Sequence, residues 1–114
     1  MNKISTVSVV FLAALLLAVP GFGQIGGAGS IQGVVSDPSG AVVPGASVTA
    51  TNVETQVKTT RETSGAGLYN LSPLQAGEYS VTVSAGGFQT AVQQHMVVDA
   101  LATVGLNFSL KIGS

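Results

Sequence analysis

The chain has 114 residues, a formal net charge of −1, one histidine, no cysteine and no tryptophan. That composition excludes a disulfide framework and leaves a Cys/His metal site without ligands. Four basic residues form no stripe that would neutralise phosphates, which argues against nucleic-acid binding.

The N-terminus reads as an export signal. Lys3 is followed by an uncharged, apolar run from Val7 to Val19, then Pro20-Gly21-Phe22-Gly23. Small residues at Gly21 and Gly23 place cleavage before Gln24, so residues 1–23 are expected to be a signal peptide. The run is short for a membrane span, which needs roughly 20 residues; a retained N-terminal anchor is the alternative. No cysteine follows the run, which excludes a lipid-modified anchor. The expected destination is the periplasm, the outer membrane or the extracellular space. Residues 24–29 (QIGGAG) read as a flexible leader, and 30–112 as a single domain.

Within that domain, period-2 alternation recurs between glycine and proline punctuation. Ile31–Ser36 opens the series. The stretch "DPSGAVVPGASV" then carries two turn signals, Asp37-Pro38-Ser39-Gly40 and Pro44-Gly45, around only three apolar residues. Ala41–Val43 is therefore expected to be a corner that turns the chain onto the next strand. Ala46–Asn52 alternates cleanly, with apolar residues on even numbers. Gln56–Thr63 is polar and Thr-rich, the composition of an edge strand. A short strand over Leu68–Leu71 lies between Ser64-Gly65-Ala66-Gly67 and Ser72-Pro73. Tyr79–Ala85 alternates with apolar residues on odd numbers. After Gly86-Gly87 come Phe88–Gln94 and Met96–Val98. Val104, Leu106, Phe108, Leu110 and Ile112 then read as one face of a last strand. No stretch of the domain carries helical spacing with caps. About seven short strands at spacings of roughly 8–12 residues predict an all-β sandwich. Val48, Tyr79, Val81, Val83, Leu106 and Phe108 are its expected core.

The run "GVVSDPSGAVVPGASVTATN" resembles the opening of carboxypeptidase regulatory-like domains. The resemblance continues through "TSGAGLYNLSPLQAGEYSVTVSAGGFQ", where Gly67, Tyr69, Leu74, Gly77, Tyr79, Gly87 and Phe88 occupy the family's motif positions. Ser64 departs from a pattern that commonly carries Asp, which implies a weaker turn contact. The resemblance implies a transthyretin-like, Greek-key sandwich, also classed with carbohydrate-binding-like folds. It further implies a mostly non-catalytic module of the kind found at the N-terminus of bacterial TonB-dependent outer-membrane receptors. Ser114 falls just after the last strand, which leaves a stand-alone domain and a truncated receptor as the two readings.

Residue chemistry gives these motif positions structural roles. Gly33, Gly40, Gly45, Gly67, Gly77 and Gly87 suit turns or close backbone approach. Asp37 and Pro44 shape the turns, and Phe88 would close one end of the core. Tyr69 and Tyr79 offer aromatic area with a hydroxyl able to reach the rim.

Reactive constellations are missing from the pattern. His95 and Asp99 would lie roughly 13 Å apart along an extended strand, so a Ser-His-Asp arrangement is not expected. Asp37 and Asp99 each stand alone, short of a calcium loop. An isopeptide cross-link would need a Lys on the first strand; Asn107 and Glu78 are present without one. Asn70-Leu71-Ser72 and Asn107-Phe108-Ser109 match the glycosylation triplet, read as coincidence in a Ser-rich strand protein.

The expectation is thus a non-catalytic, exported envelope module without cofactor or metal, acting as a binding or spacer domain. Its partner would be an envelope protein or a glycan, with membrane association only through a larger receptor or an uncleaved signal. A carbohydrate-binding module and a stand-alone secreted interaction protein are the alternatives. Lys58, Thr60, Arg61 and Glu62 mark the edge strand where a protein partner could add a strand.

Overall fold

A computed structural model describes residues 27–113; the segment read as a signal peptide lies outside them. Eight strands form within that span: β1 (Gly29–Ser36), β2 (Ser47–Asn52), β3 (Lys58–Glu62), β4 (Leu68–Leu74), β5 (Gly77–Ser84), β6 (Ala91–Val98), β7 (Thr103–Gly105) and β8 (Phe108–Ser109). One sheet has the order β4-β1-β7, with β8 also pairing β1. The other runs β3-β2-β5-β6. Strand β5 lies beside β2 although β3 and β4 come between them in sequence, a Greek-key connection.

Alternation builds the core. Val48 and Ala50 on β2 and Tyr79, Val81 and Val83 on β5 are buried on one face, while Ile31, Val35, Tyr69, Leu71 and Leu74 meet them from the other sheet. Each Val, Ile or Leu among them contributes roughly 1.5–3 kcal/mol by leaving water. The corner forms as read from the sequence. Ser36 bridges Val42, Val43 N donates to Val35 O at 2.9 Å, and Val43 turns inward while Val42 stays exposed. At the other margin Phe88 is half-buried against the core and bridges Ile112.

Strand ends shift by one or two residues in β2, β3 and β5, β3 spanning Lys58–Glu62 rather than Gln56–Thr63, and four further differences follow. First, β1 already begins at Gly29, a position assigned to the leader; Gly29 pairs with Leu74 and is buried. Second, β4 continues through Ser72-Pro73 to Leu74. Proline fits there because β4 is an edge strand, and its ladder with β1 shifts register nearby. Third, the stretch from Phe88 splits differently: β6 starts only at Ala91 and runs unbroken to Val98, with an irregularity opposite Tyr79–Val81.

The fourth difference is the largest. The expected last strand is two short pieces, β7 and β8, both parallel to β1. Between them Leu106 N donates to Gln32 O, and the Asn107 side-chain oxygen accepts Val34 N at 2.9 Å. An amide side chain thus takes the place of a backbone acceptor, and the ladder is interrupted. Phe108 and Leu110 are buried, but Leu106 is only half-buried and Ile112 is exposed.

Candidate functional site

The motif residues are structural supports. At Gly33 a Cβ would collide with Leu106 O, so the chain between β7 and β8 dips into space that a side chain would fill. Gly67 has φ 75°, and a Cβ there would meet Val42 Cβ at 2.7 Å. Gly40, Gly45 and Gly87 sit at positive φ in turns, and Gly77 opens β5. The Asp37 carboxylate accepts Ser39 Oγ at 2.6 Å, Ser39 N at 2.9 Å and Ala41 N at 3.0 Å. The Ser39 hydroxyl above all holds its pKa below the ordinary value. Pro44 and Gly45 form the second turn, where Gly45 N donates to Thr63 O.

Both tyrosines are buried with their hydroxyls satisfied. Tyr79 donates to Gln75 O at 2.7 Å, and Tyr69 donates to Leu106 O. Burial pushes the Tyr69 pKa up to about 12. Ser64 makes the turn contacts that an Asp would make, accepting Ala66 N and Leu68 N at 3.3 Å each.

Among the described residues, those with reactive side chains do not converge. His95 lies in β6 at a positive φ of 60°, rather than in a loop, and pairs with Glu78 at 3.2 Å on the exposed surface. Asn107 serves the β1 backbone. Among the described residues no group of three or more His, Cys, Asp or Glu could hold a metal ion. Nor is any helix there long and apolar enough to cross a membrane.

The remaining candidate is the β3 edge. Asn52 N donates to Val57 O at one end of the β2–β3 ladder, and Thr63 N donates to Ala46 O at the other. Bonded pairs alternate in an antiparallel ladder, so Thr59 and Arg61 exchange bonds with Ala50 and Val48. The N–H and C=O groups of Lys58, Thr60 and Glu62 therefore point away from β2, toward an edge that no other strand covers among the described residues. Their side chains share the outer sheet face, where Thr60 Oγ1 meets Thr49 Oγ1 at 2.9 Å.

Arg61 projects from the opposite face. Its guanidinium donates to Thr60 O at 2.8 Å and to Ser72 O on β4 at 2.9 Å, tying the two sheets together. Arg61 and Glu62 also line an open hollow of about 720 Å³ with Gln32, Leu68, Asn70 and Gly105. Sequence reasoning located this strand but missed the Arg61 tie. Thr63 was missed too; its hydroxyl donates to Val43 O and accepts Ala46 N, anchoring the end of β3.

Many solved structures share the fold, among them the following three. A candidate carbohydrate-binding protein from Bacteroides uniformis is 22% identical with a TM-score of 0.60, covering 75% of this chain and 42% of its own. The Bacillus anthracis TIE protein is 23% identical with a TM-score of 0.63, over 75% of this chain and 17% of its own. The 3-chlorocatechol 1,2-dioxygenase of Rhodococcus opacus is 10% identical with a TM-score of 0.60, over 77% and 61%. This chain therefore spans less than two thirds of each, and at these identities the likeness concerns architecture alone. No curated protein matches the sequence. The sequence pattern of the carboxypeptidase regulatory-like domain matches residues 30–111. With the sandwich, the Asp37 turn and the Gly67–Tyr69 approach all in place, the chain belongs to the carboxypeptidase regulatory-like domain family.

Proposed function

We propose that this chain is a non-catalytic, exported envelope module that binds a protein partner through β3, related to the N-terminal extensions of TonB-dependent outer-membrane receptors. The observation that carries the reading is the uncovered β3 edge, with the backbone groups of Lys58, Thr60 and Glu62 turned outward in unbroken register. Main-chain bonds from an added strand supply affinity, and the alternating side chains supply selectivity. A glycan site has less support, because saccharide faces stack on exposed aromatic rings and Tyr69, at the hollow, is only 4% exposed.

Two experiments test the reading. Thr60→Pro removes one outward N–H and leaves the β2 ladder intact, so partner recovery from envelope extracts should fall to background. Unchanged recovery would leave only a spacer role. Mass spectrometry of the exported protein should give Gln24 at or near the mature N-terminus. An intact Met1 on a cytosolic product would contradict export.

A further inference from the structure

We propose that the strand added at β3 is β3 of a second copy of this chain, running antiparallel about a twofold axis at Thr60. The inference rests on the reading of β3 as a partner edge and names the partner.

The register chooses itself by charge. Only residues with outward backbone groups can exchange bonds across the edge, so even-numbered positions must face even-numbered positions. A twofold at Lys58 sets Lys58 against itself, and one at Glu62 sets Glu62 against itself; both are repulsive. A twofold at Arg61 likewise sets Arg61 against itself, and one at Thr59 leaves each charge facing an uncharged side chain. Centred on Thr60, the whole of β3 overlaps, Thr60 faces Thr60, and each Lys58 stands opposite Glu62 of the second copy. Those pairs share the outer face, where directly opposed side chains have Cβ atoms roughly 4.5–5.5 Å apart. Arg61 does not compete. Its side chain lies on the other face, drawn toward Ser72. The Thr60 carbonyl has two lone pairs, one for Arg61 and one for the incoming amide.

The other free edges are less suited to pairing. Strand β6 is interrupted where His95 takes positive φ, β4 carries Pro73, and β7 and β8 are only 3 and 2 residues long. The β2–β3 ladder has no register shift.

Sedimentation of the purified chain over a concentration series provides the test. Wild type should pass from monomer to dimer. Lys58→Glu and Glu62→Lys, each alone, should weaken association on the order of 10-fold by opposing like charges. Mixing these two variants should restore it, because an edge with two acidic side chains then meets an edge with two basic ones. The double variant should also recover. Circular dichroism confirms that each variant keeps the fold. A wild type that stays monomeric to millimolar concentration, a dimer indifferent to both reversals, or a mixture without recovery would overturn the second copy as partner. In each of these cases Thr60→Pro still reports separately on strand addition, since loss of envelope capture would preserve the β3 edge with a different partner.

Discussion

Among the described residues the sheet β3-β2-β5-β6 has two free edges, and they avoid accidental pairing in different ways. Strand β6 is 8 residues long and carries no formal charge beyond His95, the composition of an aggregation-prone edge. Its protection is geometric: at His95 the backbone turns to positive φ, and two residues oppose one on β5. Strand β3 has regular geometry and is protected by Lys58, Arg61 and Glu62. A bulge refuses every incoming strand, whereas charges refuse only strands that fail to match them. That difference makes β3 the selective edge.

Both edges depend on the shared core, so the largest expected effect is on both together. Phe108→Ala removes a ring that is 8% exposed and packs against Tyr69 at a centroid distance of 6.4 Å. It should cost about 3–5 kcal/mol in urea unfolding. A loss below about 1 kcal/mol would show that β8 does not close the core. Thr63→Val should act more locally. It leaves Val43 O and Ala46 N without the hydroxyl that serves both, at a cost of about 1–3 kcal/mol. Amide exchange should accelerate along β3 before it does along β6. Equal acceleration at both edges would mean that β3 has no separate anchor.

His95→Gly sharpens the comparison from the other side. Glycine takes positive φ without the penalty of a side chain, so stability should rise by about 0.5–1 kcal/mol despite the lost Glu78 contact. That exposed pair contributes little. A destabilised variant would show that the bulge is held by the His95 side chain rather than by the backbone.

Two titrations complete the series. Tyr69 has a folded pKa of about 12 against an ordinary 10.0. The stability linked to its neutral form is therefore full below pH 10 and is lost as pH rises toward 12. The Tyr69 phenolate absorbance should appear only as pH rises toward 12, together with unfolding; its appearance near 10 would contradict the burial. For Asp37 the shift is downward, so its turn contacts hold above the ordinary 3.8 and are lost as pH falls through the depressed value. The Ser39 and Ala41 amide resonances should report that change with little effect elsewhere.

Much of this was legible in the residues because it is local. Alternation in Ala46–Asn52 and Tyr79–Ala85 fixed which side chains face inward, and the paired turns around Ala41–Val43 announced the corner. What was not legible depends on distant partners. The interruption at Leu106–Asn107 arises where the chain crosses Gly33, some seventy residues earlier; the alternation itself runs on unbroken through it. Pro73 looked like a strand end because its missing N–H is harmless only on an edge, and the sequence does not say which strands are edges. For the candidate site, composition marked β3 as an edge, but the outward direction of Thr60 follows only from register.

Amide hydrogen exchange of the purified chain at low and high concentration tests the central claim most directly. Free-edge amides of Lys58, Thr60 and Glu62 should exchange quickly in the dilute sample and become protected together as concentration rises, while Val92 and Val97 on β6 stay unchanged. Protection that appears on β6 instead, or no protection at Lys58, Thr60 and Glu62 under conditions where the chain associates, would contradict β3 as the pairing edge.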